Sequence, residues 1–466
     1  MTNNQITATV FAAIVARTSF KIERLYFLMG IPFYFVSLLK SHAGIVQTVK
    51  KDSALEVDVL GIDFNCLIHR YLKEEDPIGS ILSALDHILT HICKAKKVLI
   101  AMDGLVPYAK IVQQRYRRMR AKDTVESFDR NQISPGTPYM KDLESALKSR
   151  FPFAKLSSTM LPGEGEHKLF LTIKELPENE RNTVCIYGLD ADLILICLQK
   201  CYLSTQMSLL RESSEFNDPK VASAEFACLN IKTLLKQLPL QIDQYIALSI
   251  LCFGNDFMPH LGIFSLREGG YERALQFYKE SGNPDLFSFE GRSAFLEYCA
   301  SKELGILKDM ITRRRRPEEK AVLGKEQSNF SRKYGLHVLD GVTDMEPVVD
   351  AYWKTFHWTL SYFMNGLPNN WSWYYPYPEA PLITDIMKYD ESLEVENGEL
   401  NYTITNQLQF ILPSKSLREA KKVRVFKDEM YTETRAPWLK RHEWETDPQI
   451  SLPWNPNDHL TSVCRF

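Results

Sequence analysis

The sequence predicts an α/β fold with a mostly parallel sheet, because short apolar runs alternate with stretches of helical periodicity. Three of these runs end in an aspartate: EVDVLGID at Asp63, KVLIAMD at Asp103 and TVCIYGLD at Asp190. Strands that alternate with helices form parallel sheets, and the carboxyl ends of parallel strands share one edge. One such aspartate is more often a helix cap, but three at equivalent positions favour a shared site.

Helical periodicity follows two of the predicted strands, in residues 80–95 and 192–200. A longer apolar helix is predicted in residues 241–253, and Gly254 breaks it. Asp256 lies just beyond that break. Taken alone, Asp256 is most simply a residue of the turn that ends the helix.

Composition limits the class of protein. A chain of 466 residues is too long for one core and suggests two or three domains. A net charge of -2 argues against a polycation that coats nucleic acid, but it is compatible with a local basic patch. Nine cysteines without a CxxC pair indicate free thiols in a reducing compartment, here the cytoplasm or the nucleus. No apolar run approaches the roughly 18 residues of a membrane span.

The stretch LPGEGEHK, residues 161–168, alternates glutamate with glycine. It is either a solvated turn or a flexible segment that presents negative charge to a cation. The carboxylates that the sequence assigns to one sheet edge are Asp63, Asp103, Glu164, Glu166, Asp190, Asp192 and Asp256. So many carboxylates repel one another unless cations compensate them, and oxygen ligands alone favour Mg²⁺ or Mn²⁺. Two such ions stabilise the attacking and leaving oxygens when a phosphodiester is cleaved.

A basic stretch, AKIVQQRYRRMRAK at residues 109–122, begins six residues after Asp103. On a helix, Lys110, Gln114 and either Arg117 or Arg118 share one face. Alone, a solvated basic helix is the simpler interpretation. Beside an acidic site, however, arginine forks and a neutral amide form a suitable grip for a phosphate group.

Eight stretches, in order along roughly residues 29–415, resemble the Xrn-type 5′→3′ exoribonucleases. They are MGIPFYF, GIDFNCLIH, AMDGLVPYAKIVQQRYRRMR, FDRNQISPGTPYM, LPGEGEHK, YGLDADLI, GNDFMPHL and WSWYYPYPEAP. The resemblance implies a PIN/FEN-like nuclease core with a mostly parallel sheet flanked by helices. It also implies a smaller, mostly helical C-terminal region that closes the active site.

The resemblance further implies a role for each matching residue. The seven carboxylates would hold two Mg²⁺ ions, for which Mn²⁺ can substitute. Lys110, Gln114, Arg117 and Arg118 would grip a 5′-monophosphate, with Lys110 also counted among the catalytic residues. His69 would stack on the first base, and either Trp371 or Trp373 would help to hold the 5′ nucleotides. The implied substrate is single-stranded RNA, degraded processively to mononucleotides by a monomer.

Four regions are expected. They are an N-terminal extension at 1–28, a nuclease core at 29–285, a charged linker at 286–338 and a shortened second conserved region at 339–466. Within the last region, residues 348–366 have helical spacing and an aromatic segment follows them. Family chains usually begin at the MGIP-like stretch, which favours an extension over a weak targeting segment. Here that stretch lacks the usual lysine after its proline.

Two other functions are compatible with part of this pattern. A FEN-type structure-specific DNA nuclease shares the strand-end acids and a stretch like GNDFMPHL, but lacks GEGEHK, QQRYRRMR and the aromatic segment. An inactive RNA-binding scaffold would be expected to have lost acids, whereas every expected acid is present. The sequence therefore favours an active exoribonuclease.

Overall fold

The structure is a computed structural model that describes most of the chain between residues 31 and 411. The gaps in that range are residues 32, 50–53, 121–131, 217–220, 222–223, 315–320, 323–328, 340 and 393–394. Residues 116–120 and 409 are described by their backbone alone. The expected extension at 1–28 and everything beyond residue 411 lie outside the described residues.

In the described part of the chain, seven strands form one mixed sheet. The strands are β1 Val46–Val49, β2 Leu55–Asp63, β3 Cys93–Ala101, β4 Lys155–Ser157, β5 Thr183–Tyr187, β6 Gln206–Glu212 and β7 Phe226–Asn230. Their order is β1-β7-β6-β5-β2-β3-β4. Neighbours from β6 through β4 are parallel, whereas β7 is antiparallel to both β6 and β1. The predicted α/β class with a mostly parallel sheet is confirmed.

Helices connect and cover these strands. They are α1 Tyr34–Ser41, α2 Phe64–Arg70, α3 Pro77–His87, α4 Tyr108–Arg120, α5 Pro138–Arg150, α6 Gly165–Glu175, α7 Asp192–Gln199, α8 Ile231–Gln237, α9 Ile242–Phe253, α10 Gly270–Glu280, α11 Phe289–Arg313, α12 Phe330–His337, α13 Glu346–Asn365, α14 Ile383–Ile386 and α15 Ile404–Ile411. Local signals start several of them. Thr137, for example, accepts a hydrogen bond from the Met140 amide, and Pro138 occupies the first helical turn of α5.

The sheet has a hydrophobic core on each face, because alternate side chains of a strand point to opposite sides. In β3, Leu99 and Ala101 enter one core, while Val98 and Ile100 enter the other. The central strands are therefore apolar at successive positions, as expected for parallel strands covered on both faces. This burial fixes the register of β2, β3 and β5, and so fixes where their carboxyl ends meet.

The range 286–338, where the sequence predicts a charged linker, is largely helical instead. Helix α11 buries Phe295, Cys299, Leu307 and Met310. These apolar residues recur at helical spacing and provide a face that packs, and most of the charged residues between them are exposed, although Glu303 is buried. The prediction of a linker was wrong for α11 because it weighed charge above periodicity.

Two smaller differences concern the ends of predicted elements. The helix expected over 80–95 gives way to β3 at Cys93, since its last residues pair with β2. The region from residue 385, where the sequence signal is weak, contains α15. Gln407 of that helix accepts a hydrogen bond at 3.0 Å from the Val106 amide, which joins α15 to the entrance of α4.

Two further features bear on the class of protein. Every cysteine within the described ranges is a free thiol. No helix in the described part of the chain is long and apolar enough to cross a lipid bilayer.

Candidate active site

Three aspartates lie at the carboxyl ends of adjacent parallel strands. Asp63 is the last residue of β2, and Asp103 and Asp190 follow β3 and β5. Burial, followed by the negative charges of Asp103 and Asp190, raises the pKa of Asp63 to about 7. The Cys66 thiol donates a hydrogen bond to Asp63 Oδ2 at 2.9 Å. The three carboxylates therefore lie close enough to repel one another.

The glycines of LPGEGEHK allow this segment to approach the strand ends. Gly163 has a φ of +110°, a conformation that favours glycine. A Cβ atom on Gly165 would lie 3.1 Å from Asp63 Oδ1. The Gly165 amide donates a hydrogen bond to Asp103 Oδ1 at 2.7 Å. Helix α6 therefore begins directly against two of the strand-end aspartates.

Glu164 and Glu166 are both buried at the start of α6. Glu164 has a partner on each oxygen: Oε2 lies 2.6 Å from Lys110 Nζ, and Oε1 accepts a hydrogen bond from the Tyr362 hydroxyl at 2.8 Å. Burial raises the pKa of both carboxyls, and the Glu164 charge raises that of Glu166 further. The flexible stretch in the sequence is thus a pair of enclosed acids in the structure.

Asp192 and Asp256 complete the acidic cluster. Burial, followed by the charges of Asp190 and Asp256, raises the pKa of Asp192. Its Oδ1 atom is buried and has no hydrogen-bond partner among the described residues. Asp256 lies in the turn after α9, which ends at Gly254 as predicted. The Asn255 side chain accepts hydrogen bonds from two backbone amides and fixes that turn.

Lys110 reaches into this cluster from α4. Its Nζ atom lies 2.8 Å from Asp256 Oδ2 as well as close to Glu164, and the side chain is only 10% exposed. The lysine thus bridges an acid of the core and an acid of the turn after α9. Across the described ranges, no three His, Cys, Asp or Glu side chains are grouped so that they could hold one metal ion. The acids surround the site without converging on a single point.

The other residues of the basic helix differ in their surroundings. Gln114 is half-buried. Arg115 is buried, lies 5.0 Å above the Phe410 ring and donates a hydrogen bond to the Phe410 carbonyl, so it anchors α15. The side chains of Arg117 and Arg118 lie outside the described residues. Their predicted role in gripping phosphate stays a prediction.

The predicted stacking residues are placed in three different ways. His69 is exposed in the last turn of α2. Trp371 is half-buried, and its carbonyl accepts a hydrogen bond from the Tyr108 amide at the start of α4. Trp373 is buried and donates from Nε1 to Thr355 Oγ1 at 3.1 Å, which makes it part of the core. Of the two tryptophans, Trp371 has the more accessible side chain.

Lys168 holds the loop by hydrogen bonds to backbone carbonyls, whereas His167 packs against an aromatic ring. Lys168 Nζ donates hydrogen bonds to the carbonyls of Met102, Ser158 and Leu161 at 2.6, 2.8 and 3.2 Å. His167 is buried with its ring 4.2 Å from that of Tyr362, and burial lowers its pKa to about 3. Sequence reasoning missed Tyr362, because one of two tyrosines on a helix rich in aromatic side chains carries no distinguishing signal.

Fold and site are those of an α/β protein whose acidic residues gather at the carboxyl edge of a mostly parallel sheet. Two family models match the chain. The XRN 5′-3′ exonuclease N-terminus matches residues 29–213, and the Xrn1 helical domain matches residues 324–434. Together they cover more than half of the chain, which therefore belongs to the Xrn family.

Individual relatives are similar at lower identity. The 5′-3′ exoribonuclease 1 of Saccharomyces cerevisiae is 30% identical over 320 residues, which are 54% of this chain and 21% of the relative. The human 5′-3′ exoribonuclease 1 is 27% identical over 77% of this chain and 29% of its own length. The 5′-3′ exoribonuclease 2 of S. cerevisiae is 25% identical over 66% and 42%. The chain thus spans less than half the length of these curated relatives.

Solved structures show a weaker likeness. The catalytic core of Rad2 in complex with DNA substrate has a TM-score of 0.38 and 16% identity, and the match covers 71% of this chain and 94% of that one. Flap endonuclease-1 from Methanococcus jannaschii has a TM-score of 0.31 and 15% identity, with coverages of 63% and 81%. At such scores, the fold assignment rests on the sheet order of this chain.

Proposed function

We propose that this protein is a 5′→3′ exoribonuclease that hydrolyses single-stranded RNA with a 5′-monophosphate to mononucleotides. The observation that carries the proposal is the acidic cluster at the ends of β2, β3 and β5, with Lys110 among its members. Family membership supports the proposal, because the named relatives are 5′-3′ exoribonucleases.

The carboxylate oxygens at this site are suited to divalent cations. All seven predicted ligands are carboxylates, the preferred ligands of Mg²⁺ and Mn²⁺. The raised pKa values of Asp63, Glu164, Glu166 and Asp192 reflect burial and mutual repulsion, both of which a cation relieves. The Oδ1 atom of Asp192 is buried without a hydrogen-bond partner among the described residues, so it is available to coordinate a cation. Bound Mg²⁺ would supply Lewis-acid stabilisation of the reacting phosphate and a more acidic attacking water.

The remaining residues position the RNA. Lys110 offers positive charge next to the acids, and Gln114 lies one turn further along α4 on the same face. Arg117 and Arg118 would complete the grip on the 5′-phosphate. His69 and Trp371 would contact the 5′ nucleotides by stacking, which accepts any base and makes degradation independent of sequence. We assign stacking to Trp371 because Trp373 is committed to the core.

The competing function is that of a FEN-type structure-specific DNA nuclease. It would use a similar acidic site on a DNA substrate. The basic helix and the aromatic segment favour an enzyme that acts on the 5′ end of RNA. The two functions differ in which sugar is accepted and in which 5′ end is required.

One experiment separates these functions. Labelled single-stranded RNA and DNA, each with a 5′-monophosphate, a 5′-hydroxyl or a 5′-triphosphate, are incubated with the protein in Mg²⁺ or in EDTA. We expect mononucleotides from 5′-monophosphate RNA in Mg²⁺ alone. Equal use of 5′-hydroxyl and 5′-monophosphate RNA would refute the phosphate grip. Cleavage restricted to branched DNA would favour the competing function, and RNA binding without cleavage would indicate a scaffold.

A further inference from the structure

We propose that Tyr362 is a positioning residue that holds the Glu164 carboxylate in the orientation required for cation binding. Helix α13 would then contribute directly to the acidic site. This inference rests on the proposed metal-dependent function. It concerns a residue that lies 198 positions from Glu164 in the sequence.

The two oxygens of Glu164 are held by two different regions. The Tyr362 hydroxyl donates to Oε1 at 2.8 Å, and Lys110 Nζ lies 2.6 Å from Oε2. Two partners on opposite oxygens fix the rotation of the carboxylate plane as well as its position. Lys110, which comes from the basic helix, also contacts Asp256. Tyr362, in contrast, forms its hydrogen bond with Glu164 and with no other described acid of the cluster.

The phenol ring has little freedom to move. Tyr362 is fully buried in α13, and its ring lies 4.2 Å from His167, 5.3 Å from Trp358 and 5.7 Å from Phe257. His167 follows Glu166, and Phe257 follows Asp256. The ring is therefore wedged between the two segments that carry those acids. Because the ring cannot move freely, its hydroxyl holds the Glu164 carboxylate in one position. A donor on a mobile, solvent-exposed side chain would not do so.

Hydrogen bonds to a ligating carboxylate commonly tune a metal site. Loss of such an outer partner typically weakens metal affinity or activity by about 10- to 100-fold. Removing the Tyr362 hydroxyl would leave Oε1 buried without its donor and free the carboxylate to rotate toward Lys110. The expected defect is in cation affinity, and a high concentration of the cation would compensate for much of it.

The same helix offers a matched control. Tyr352 is also fully buried, but its hydroxyl donates to the Leu251 carbonyl at 2.9 Å, away from the acids. Tyr362→Phe and Tyr352→Phe each delete one buried hydroxyl from α13 and keep the ring. Each should lower the melting temperature by a similar small amount, because each loses one buried hydrogen bond. Only the first should affect the cation.

The test measures Mn²⁺ binding to the full chain by calorimetry and the Mg²⁺ concentration that gives half-maximal RNA cleavage. For Tyr362→Phe we expect about tenfold weaker Mn²⁺ binding and a similar upward shift in the Mg²⁺ requirement, with kcat at saturating Mg²⁺ less affected. Tyr352→Phe should match the wild type in both. In a Glu164→Gln background, Tyr362→Phe should cause little further loss, as expected for groups that act through one contact.

Three outcomes would overturn the proposal. They are wild-type Mn²⁺ affinity in Tyr362→Phe, equal losses of affinity in the two tyrosine variants, and additive losses with Glu164→Gln. The last comparison also covers a poorly folded Tyr362→Phe, since a general folding defect adds to any background. Failure of the wild type itself to bind Mn²⁺ or to need Mg²⁺ would refute the proposed function. Binding by wild type with no effect of Tyr362→Phe would refute this inference alone.

Discussion

The part of the chain that carries the sheet (the core, β1 to α10) and the part from α11 to α15 (the helical region) contribute to the candidate site in different ways. The core supplies Asp63, Asp103 and Asp190 from the ends of neighbouring strands, so their meeting point follows from sheet register. The helical region supplies Tyr362 from the last turns of a long helix and Trp371 from an irregular segment. Positions of the first kind follow from local pattern, whereas those of the second kind depend on how α13 packs against the core.

The two regions also differ in the kind of side chain that they bury and in how favourable that burial is. The core buries several carboxylates whose raised pKa values show that ionisation is unfavourable there. The helical region buries neutral aromatic side chains such as Trp358, whose indole donates to the Asn370 carbonyl at 2.7 Å. Substitutions in the acidic cluster should therefore reduce activity more than stability. Substitutions in the aromatic core should do the reverse.

The largest expected effect tests the core side of this contrast. Asp63→Ala removes a carboxylate from the centre of the acidic cluster and should reduce RNA cleavage by at least about 10³-fold, as for removal of a catalytic group. Stability should not fall, because the substitution also removes a buried acid that lies beside other acids. The measurement is the cleavage rate of 5′-monophosphate RNA at saturating Mg²⁺, beside the melting temperature.

The control lies on the same strand. Asp58, five residues before Asp63 in β2, accepts hydrogen bonds from Lys96 Nζ at 2.7 Å and from the Thr183 amide at 3.0 Å. Asp58→Ala should lower the melting temperature and leave cleavage by the folded protein close to wild type. Similar losses of activity in both variants would contradict the assignment of function to the carboxyl edge of the sheet.

The aromatic pair tests the helical side. Trp373→Ala should destabilise the protein by about 3–5 kcal/mol, the usual cost of emptying a buried aromatic position. Trp371→Ala should cost much less stability but raise KM for RNA, because one base stack contributes about 1–3 kcal/mol. Denaturant unfolding and steady-state kinetics measure the two effects. The contrast would fail if Trp373→Ala raised KM while Trp371→Ala left it unchanged.

Sequence pattern predicted the parts of the structure that local signals determine. The strand-end positions of the aspartates, the end of α9 at Gly254 and the helical nature of α13 follow from periodicity and glycine placement. The contacts of Tyr362 with Glu164 and of Arg115 with Phe410 span 198 and 295 residues. No local sequence pattern predicts contacts between residues so far apart in the sequence, because such contacts depend on how whole helices and strands pack.

Charge was the less reliable guide. It led to the prediction of a linker where α11 packs, and it grouped Arg115 with the arginines of the basic helix although that side chain anchors α15. In both cases the sequence shows how many charges a segment carries but not which of them lie against an apolar surface. The long aliphatic stem of arginine makes burial of this kind possible.

A smaller effect separates adjacent residues of α4. Gln114→Ala should reduce the preference for 5′-monophosphate over 5′-hydroxyl RNA by roughly tenfold, the equivalent of about one hydrogen bond to a charged group. Gln113 is also half-buried but lies about 100° away around the helix, so Gln113→Ala should keep that preference. The ratio of kcat/KM for the two RNAs is the measurement. An unchanged ratio in Gln114→Ala would remove this residue from the phosphate grip.

The smallest effect concerns pH and cation together. Asp63 keeps its proton up to about pH 7 in the folded protein but loses it near 3.8, its ordinary pKa, in the unfolded chain. The folded state therefore binds more protons between these values, so stability without metal should fall as the pH rises through them and stay low above them. A cation paired with the ionised carboxylate offsets that loss. Mg²⁺ should thus raise the melting temperature by more at pH 8 than at pH 5, and Asp63→Asn should reduce the difference. Equal stabilisation at both pH values would mean that the buried acids of the core are not what the cation binds.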